Sequence, residues 1–140
     1  MDLLKAMEER HAVRSYTPEP IDVNTAQLLL NCIERCNAES GLHMQLVLDD
    51  PAAFSGFMAH YGKFSGVRNY VAIAGRKAPG IEERCGYYGE QVVLTAQAAG
   101  LNSCWVAMTY SKSKAAVDLG SGEKLFLVIS LGHGTTQGET

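Results

Sequence analysis

Apolar positions recur along this chain in two rhythms, the helical one of about 3.6 residues and the strand one of about 2. Leu3, Leu4 and Met7 follow the first and predict a short amphipathic helix. Thr17-Pro18-Glu19-Pro20 cannot continue it, so residues 10–14 should lie where helix gives way to extended chain. Asp22 is a good N-cap for a second helix that should stop at Ser40-Gly41. Its apolar set, Leu28, Leu29, Leu30, Cys32, Ile33 and Cys36, covers a broad arc and predicts a central helix packed on two sides. His43 to Leu48 reads as a first strand, ended by Asp49-Asp50-Pro51. Pro51 suits the first turn of a helix whose apolar face is Phe54, Phe57, Met58 and Tyr61.

Tyr70 to Ala74 is apolar throughout, which predicts a strand buried on both faces. After a basic loop, Ile81 to Ala99 is the longest helical pattern, with Gly100 as its stop. Gly86, Gly89, Thr95, Ala96, Ala98 and Ala99 would let another backbone approach it closely. Ser103 to Met108 reads as a third strand, Ser111 to Leu119 as a short helix, and Lys124 to Leu131 as a fourth strand. A polar, Gly-rich tail follows to Thr140. The order α-α-β-α-β-α-β-α-β lets helices cover both faces of a four-stranded sheet, while periodicity leaves strand direction open.

Composition narrows the function classes. With 140 residues, 46% hydrophobic and 19% charged, the chain suits one domain, 1–140, with a sizeable core. A net charge of −3 argues against a nucleic-acid partner. No apolar run approaches the roughly 18 residues of a membrane span, and the first twenty residues do not read as a signal peptide, so a cytoplasmic location is the default expectation. Cys32, Cys36, Cys85 and Cys104 form no Cys-x-x-Cys pair and read as small buried hydrophobes in a reducing compartment. His11, His43, His60 and His133 are scattered and read as local hydrogen-bonding residues rather than metal ligands.

No dinucleotide fingerprint, P-loop, nucleophile elbow or zinc-protease motif is present. If the chain is an enzyme, a cofactor carries the chemistry and the protein places it. One stretch concentrates cationic groups: Glu9-Arg10-His11-Ala12-Val13-Arg14-Ser15-Tyr16 packs two guanidiniums and an imidazole into five positions. Guanidinium forks match phosphate and the carbonyl edges of planar ligands, so the functional reading is an anchor for an anionic, aromatic cofactor. The bland reading is a solvated pair of arginines at a helix C-terminus, where cations are favoured anyway.

This stretch resembles the opening motif of nitroreductase-family flavoproteins: Arg, then Arg or His, then Ser, with a basic residue two further on and an aromatic two beyond that. Arg68-Asn69-Tyr70-Val71-Ala72-Ile73 resembles that family's central strand. Gly86 to Met108, with Ala99-Gly100-Leu101-Asn102-Ser103-Cys104-Trp105, resembles its long helix, its Gly-Leu turn and the strand beneath the flavin. Lys124 to Gly132 resembles its late strand, and the shared order and spacing carry the likeness.

The resemblance implies an α+β fold with a central, mostly antiparallel sheet of about four strands flanked by helices. It implies an intertwined homodimer with FMN at the subunit interface. Hydride would pass from NADH or NADPH to a nitroaromatic, quinone or related acceptor by a ping-pong route. Carried onto this chain, Arg10, His11 and Ala12 would meet the ribityl-phosphate end and Arg14 the pyrimidine edge, with Lys63 at the same edge. Backbone N–H groups of Ala107 and Met108 would face flavin N5.

The chain departs from the family pattern at three places. Ala12 stands where the family usually has Ser, which removes a hydrogen bond to phosphate worth roughly 1.5–3 kcal/mol. Residues 37–45 carry neither the proline nor the asparagine of the family segment after the second helix at its expected place, and the family's C-terminal basic residues are missing. These departures motivate two alternatives: a flavin-binding module without turnover, or a truncated core that needs a missing C-terminal segment to bind FMN.

Overall fold

The computed structural model describes residues 3–54, 64–106 and 117–138. In chain order the elements are α1 (Leu3–Glu9), α2 (Val23–Ser40), β1 (His43–Val47), a 3-10 turn (Pro51–Phe54), β2 (Asn69–Arg76), α3 (Ile81–Ala98), β3 (Asn102–Val106) and β4 (Glu123–Gly132). The four strands form one sheet in the order β1-β2-β4-β3, and every neighbouring pair is antiparallel. That supplies the strand direction periodicity had left open, and it is the α+β, antiparallel arrangement the resemblance implied.

Local chemistry accounts for the helix ends. Asp22 Oδ1 accepts the Thr25 N–H at 2.8 Å, satisfying one of the orphan donors of α2. Gly41, at φ 76°, ends α2 in the left-handed conformation that glycine adopts freely. Gly100 does the same one residue past the Ala99 cap of α3, at φ 89°.

β2 is buried from Asn69 to Gly75, as its unbroken apolar run predicted. Its alternate residues serve two cores. Val71 and Ile73 join Leu29, Ile33 and Cys36 of α2 and Val92, Val93 and Ala96 of α3. Tyr70 and Ala72 turn to the other face, with Val106, Leu125 and Val128. Between Ile73 and Ala74 the pairing with β4 jumps from Leu127 to Leu125, a β-bulge at Phe126. The bulge puts Phe126 and Leu127 both against the helix-side core, while Leu125 joins the other.

Three expectations are corrected. Leu28 and Leu30 of α2 are 48% and 38% exposed, so among the described residues that helix packs on one side. They flank Leu29 about 100° to either side, beyond the arc the sheet and α3 cover. The helix with the most neighbours is α3, which packs against α1, α2 and β3. In α1 the residue that packs is Ala6, and Leu3, Leu4 and Met7 are 49%, 74% and 59% exposed. Gly89 of α3 admits not a backbone but a ring: a Cβ there would stand 2.5 Å from Trp105 Cη2.

The opposite face of the sheet is covered, among the described residues, by extended chain rather than helix. Val13 and Tyr16, with Val67 and partly buried Phe64 and Val117, close the second core. The predicted helix from Pro51 begins as a 3-10 turn, and Phe57, Met58 and Tyr61 lie outside the described residues. So do residues 111–116 of the predicted short helix and Ala107 and Met108 at the end of the third strand.

Candidate functional site

The chain leaves α1 at Glu9, and the Arg10 N–H still reaches Ala6 O at 2.9 Å. Residues 12–17 then run as a strap held by three other segments. The Val13 N–H donates to Ser103 O at 3.0 Å, beside a parallel bridge between Ala12 and Ser103. The Ser65 N–H donates to Arg14 O and the Tyr16 N–H to Ser65 O, both at 2.9 Å. The Thr17 N–H donates to His133 O at 2.8 Å and the Thr135 N–H to Ser15 O at 3.0 Å. This extended run is the helix-to-strand transition that Pro18 and Pro20 predicted, and its backbone groups are paired as a buried edge requires.

Tyr16 pins the strap to the sheet. Its hydroxyl donates to Val13 O at 2.6 Å and lies 2.7 Å from Ser130 Oγ, which stands 3.3 Å from Cys104 O. Burial pushes the Tyr16 phenol well above its ordinary range, so it stays protonated. Gly132 sits under the ring, and a Cβ there would stand 2.8 Å from Tyr16 Cδ1.

With the strap so fixed, residues 11–15 form one wall of a cleft of about 520 Å³ and Thr135, Thr136 and Gly138 form the other. Small-molecule sites occupy roughly 300–1,000 Å³. A second cleft of about 400 Å³ shares His11 and Gly138 and continues to Glu8, Glu9, Gln97 and Gln137. The guanidinium of Arg14 makes the first cleft cationic, whereas two carboxylates line the second.

The structure thus brings His11, Ala12 and Arg14 together on one surface. Arg10 stands beside it: its Nε lies 3.9 Å from the Glu90 carboxylate, and its Nη1 is buried without a hydrogen-bond partner. Lys63, Ala107 and Met108 lie outside the described residues. Burial raises the Cys104 thiol, against the lowering pull of Arg14 and Arg10, so no reactive thiolate forms there. All four cysteines are free and buried, as their spacing suggested. His43 pairs with Glu123 at 2.8 Å and His133 with Glu19 at 3.2 Å, the local bonding expected of them. His60 lies outside the described residues. Among the described residues no group of three His, Cys, Asp or Glu could hold a metal, and no helix is long and apolar enough to cross a membrane.

Sequence reasoning did not single out Thr135, Thr136, Gly138 or Asn102, the last of which holds the tail wall from beneath. The only signal they leave in the chain is a glycine-rich tail directly after a buried strand.

Residues 2–140 match the model of a protein family described as "Putative TM nitroreductase". None of the curated proteins matches the chain. Solved structures share its fold at low identity. A "putative nitroreductase in complex with fmn" from Desulfovibrio desulfuricans superposes with a TM-score of 0.74 at 16% identity, over 100% of this chain and 90% of the other. An FMN-dependent nitroreductase from Clostridium difficile gives 0.72 at 15%, over 95% and 88%. An FMN and NADPH-dependent nitroreductase from a Sphigopyxis species gives 0.73 at 16%, over 96% and 89%. Identities this low speak for the fold. The family model speaks for more, since it runs through the first helix, the strap, the sheet and the tail alike, and by that match the chain belongs to this nitroreductase family.

Proposed function

We propose that the chain is an FMN-dependent oxidoreductase that takes hydride from NADH or NADPH and delivers it to a nitroaromatic, quinone or related acceptor by a ping-pong route. The observation that carries this reading is the cationic cleft, in which the strap and the tail face one another across about 520 Å³. Two features of the chain fit the cofactor. The His11 imidazole is a donor suited to the phosphate end, and the Arg14 guanidinium is suited to the carbonyl edge of the pyrimidine. Gly138 keeps the cleft's shared wall thin, since a Cβ there would stand 2.6 Å from His11 Cβ.

FMN, when bound, supplies the ring that takes up and returns hydride. The chain's own part is binding and placement. Arg14 brings a fixed positive charge to the pyrimidine edge, His11 lines the phosphate end, Ala12 offers backbone without a hydroxyl, and Arg10, with Nη1 buried and unpartnered, has a donor to spare. Lys63 and the N–H groups of Ala107 and Met108 are assigned to the ring. Solved structures of the same fold described as in complex with FMN or as FMN-dependent support the cofactor, and the one described as NADPH-dependent supports the donor.

A homodimer belongs to the same proposal. Leu3, Leu4 and Met7 of α1 and Tyr87 of α3 remain exposed on helices that pack together, the kind of surface a second copy covers. Four free thiols fit a reducing cytoplasmic compartment. Arg14→Ala should weaken FMN retention by roughly tenfold or more, the worth of a charge-assisted hydrogen bond. Unchanged flavin content in that variant would remove Arg14 from the site. The alternative, a flavin-binding module without turnover, is motivated by Ala12 and the absence of tail cations; NAD(P)H oxidation by the flavin-loaded protein rules it out.

A further inference from the structure

Between Gly132 and Thr140 there is no lysine or arginine, yet this tail is one wall of the cationic cleft. Its one imidazole, on His133, is engaged 3.2 Å from Glu19. Beyond its backbone bonds to the strap, the tail is held by Asn102, the first residue of β3, only 2% exposed. Its Oδ1 accepts the Gly134 N–H at 2.9 Å and the Gln137 side-chain amide at 3.4 Å, and its Nδ2 donates to Gln137 Oε1 at 3.1 Å. A buried amide is costly unless its groups are paired, so these bonds fix the turn from Gly134 to Gln137.

Two glycines mark where tail and strap touch. A Cβ on Gly134 would stand 2.6 Å from Val13 Cγ1 and 2.9 Å from Asn102 Oδ1, and one on Gly138 would stand 2.6 Å from His11 Cβ. Between these contacts Thr135 and Thr136 meet the cleft. Thr136 Oγ1 accepts the Gly138 N–H at 3.2 Å, which leaves its own proton to donate. Thr135 Oγ1 lies 3.5 Å from Ser15 O, too far to be held firmly.

We infer that Asn102 is a positioning residue that folds the tail over the cleft, where Thr136, with Thr135 beside it, donates hydrogen bonds to the anionic end of the ligand. Hydroxyl groups then stand where a basic side chain would otherwise serve. This rests on reading the cleft as the phosphate end of the cofactor site.

The test is made on the full chain in two arms. In the first, inorganic phosphate is titrated into flavin-free protein and followed by amide NMR; shifts at Thr135, Thr136 and His11 are expected. In the second, dissociation constants for FMN and for riboflavin, which lacks the phosphate, are compared in the native protein, Thr136→Val and Asn102→Ala. Thr136→Val should weaken FMN roughly ten- to a hundredfold and leave riboflavin unchanged. Asn102→Ala should do the same and speed amide hydrogen exchange from Gly134 to Gly138. Equal losses for the two flavins, or no loss in Thr136→Val, overturn the inference. Thr136 is exposed, so its variant decides the matter if Asn102→Ala does not fold. Native protein that holds neither flavin but shows the phosphate shifts refutes the flavin reading and upholds the tail site. Absence of those shifts refutes the tail site whatever the flavin result.

Discussion

Tyr16 shows how a single side chain can serve the site without facing it. Its ring fills the second core and its hydroxyl joins strap to sheet through Val13 O and Ser130. Tyr16→Phe keeps the packing and orphans the buried Val13 carbonyl. The expected loss is about 1–3 kcal/mol of unfolding free energy, measured by urea denaturation. The aromatic at this position was legible from the motif, but its hydroxyl partners were not, because Ser130 lies 114 residues away. A second residue-scale effect is pH-dependent. The hydrogen bond from His43 and the Gly120 N–H hold the Glu123 carboxyl below its ordinary value of 4.5. A depressed carboxyl contributes stability above the unfolded pKa and loses it as pH falls through the folded one. Thermal melts should therefore show a steeper decline below about pH 4.5 in the native protein than in Glu123→Gln. Parallel curves would remove this pair from the acid response.

At the scale of elements, periodicity succeeded where burial follows one face and failed where it needs a neighbour. The N-cap at Asp22, the stops at Gly41 and Gly100 and the buried run of β2 are local chemistry, and they fell where the chain placed them. The apolar arcs of α1 and α2 did not all turn inward, because an arc says what can be buried and not what stands opposite. Gly86 and Gly89 divide α3 in the same way. Both look alike in the sequence, but Gly86 has nothing within 4 Å of a Cβ and Gly89 meets Trp105 at 2.5 Å. Replacing Gly by Ala in an open helix gains about 0.5–1 kcal/mol, whereas overpacking a core costs about 1–3. Gly86→Ala should therefore stabilise the protein and Gly89→Ala destabilise it, with opposite shifts of the urea midpoint. Midpoints moving in the same direction would mean that the Trp105 ring gives way.

For the whole molecule, the site is a junction of distant segments. The motif from Arg10 to Arg14 was legible because all its residues lie within five positions. The facing wall was not, since Thr135, Thr136 and Gly138 reach the strap only after the sheet has closed and Asn102 has turned the tail. Topology was likewise silent in the periodicity: β4 sits between β2 and β3, a placement that interleaves the ends of the chain and so builds the cleft from both. If that cleft and the surface beside α1 work as proposed, the protein sediments as a dimer and carries a flavin.

The most direct test is an absorbance spectrum of the purified protein after incubation with FMN and removal of the excess. Flavin bands should be retained at about one equivalent per chain, with the retention lost in Arg14→Ala. A colourless protein, or one whose retained flavin is unaffected by that substitution, would contradict the proposed site.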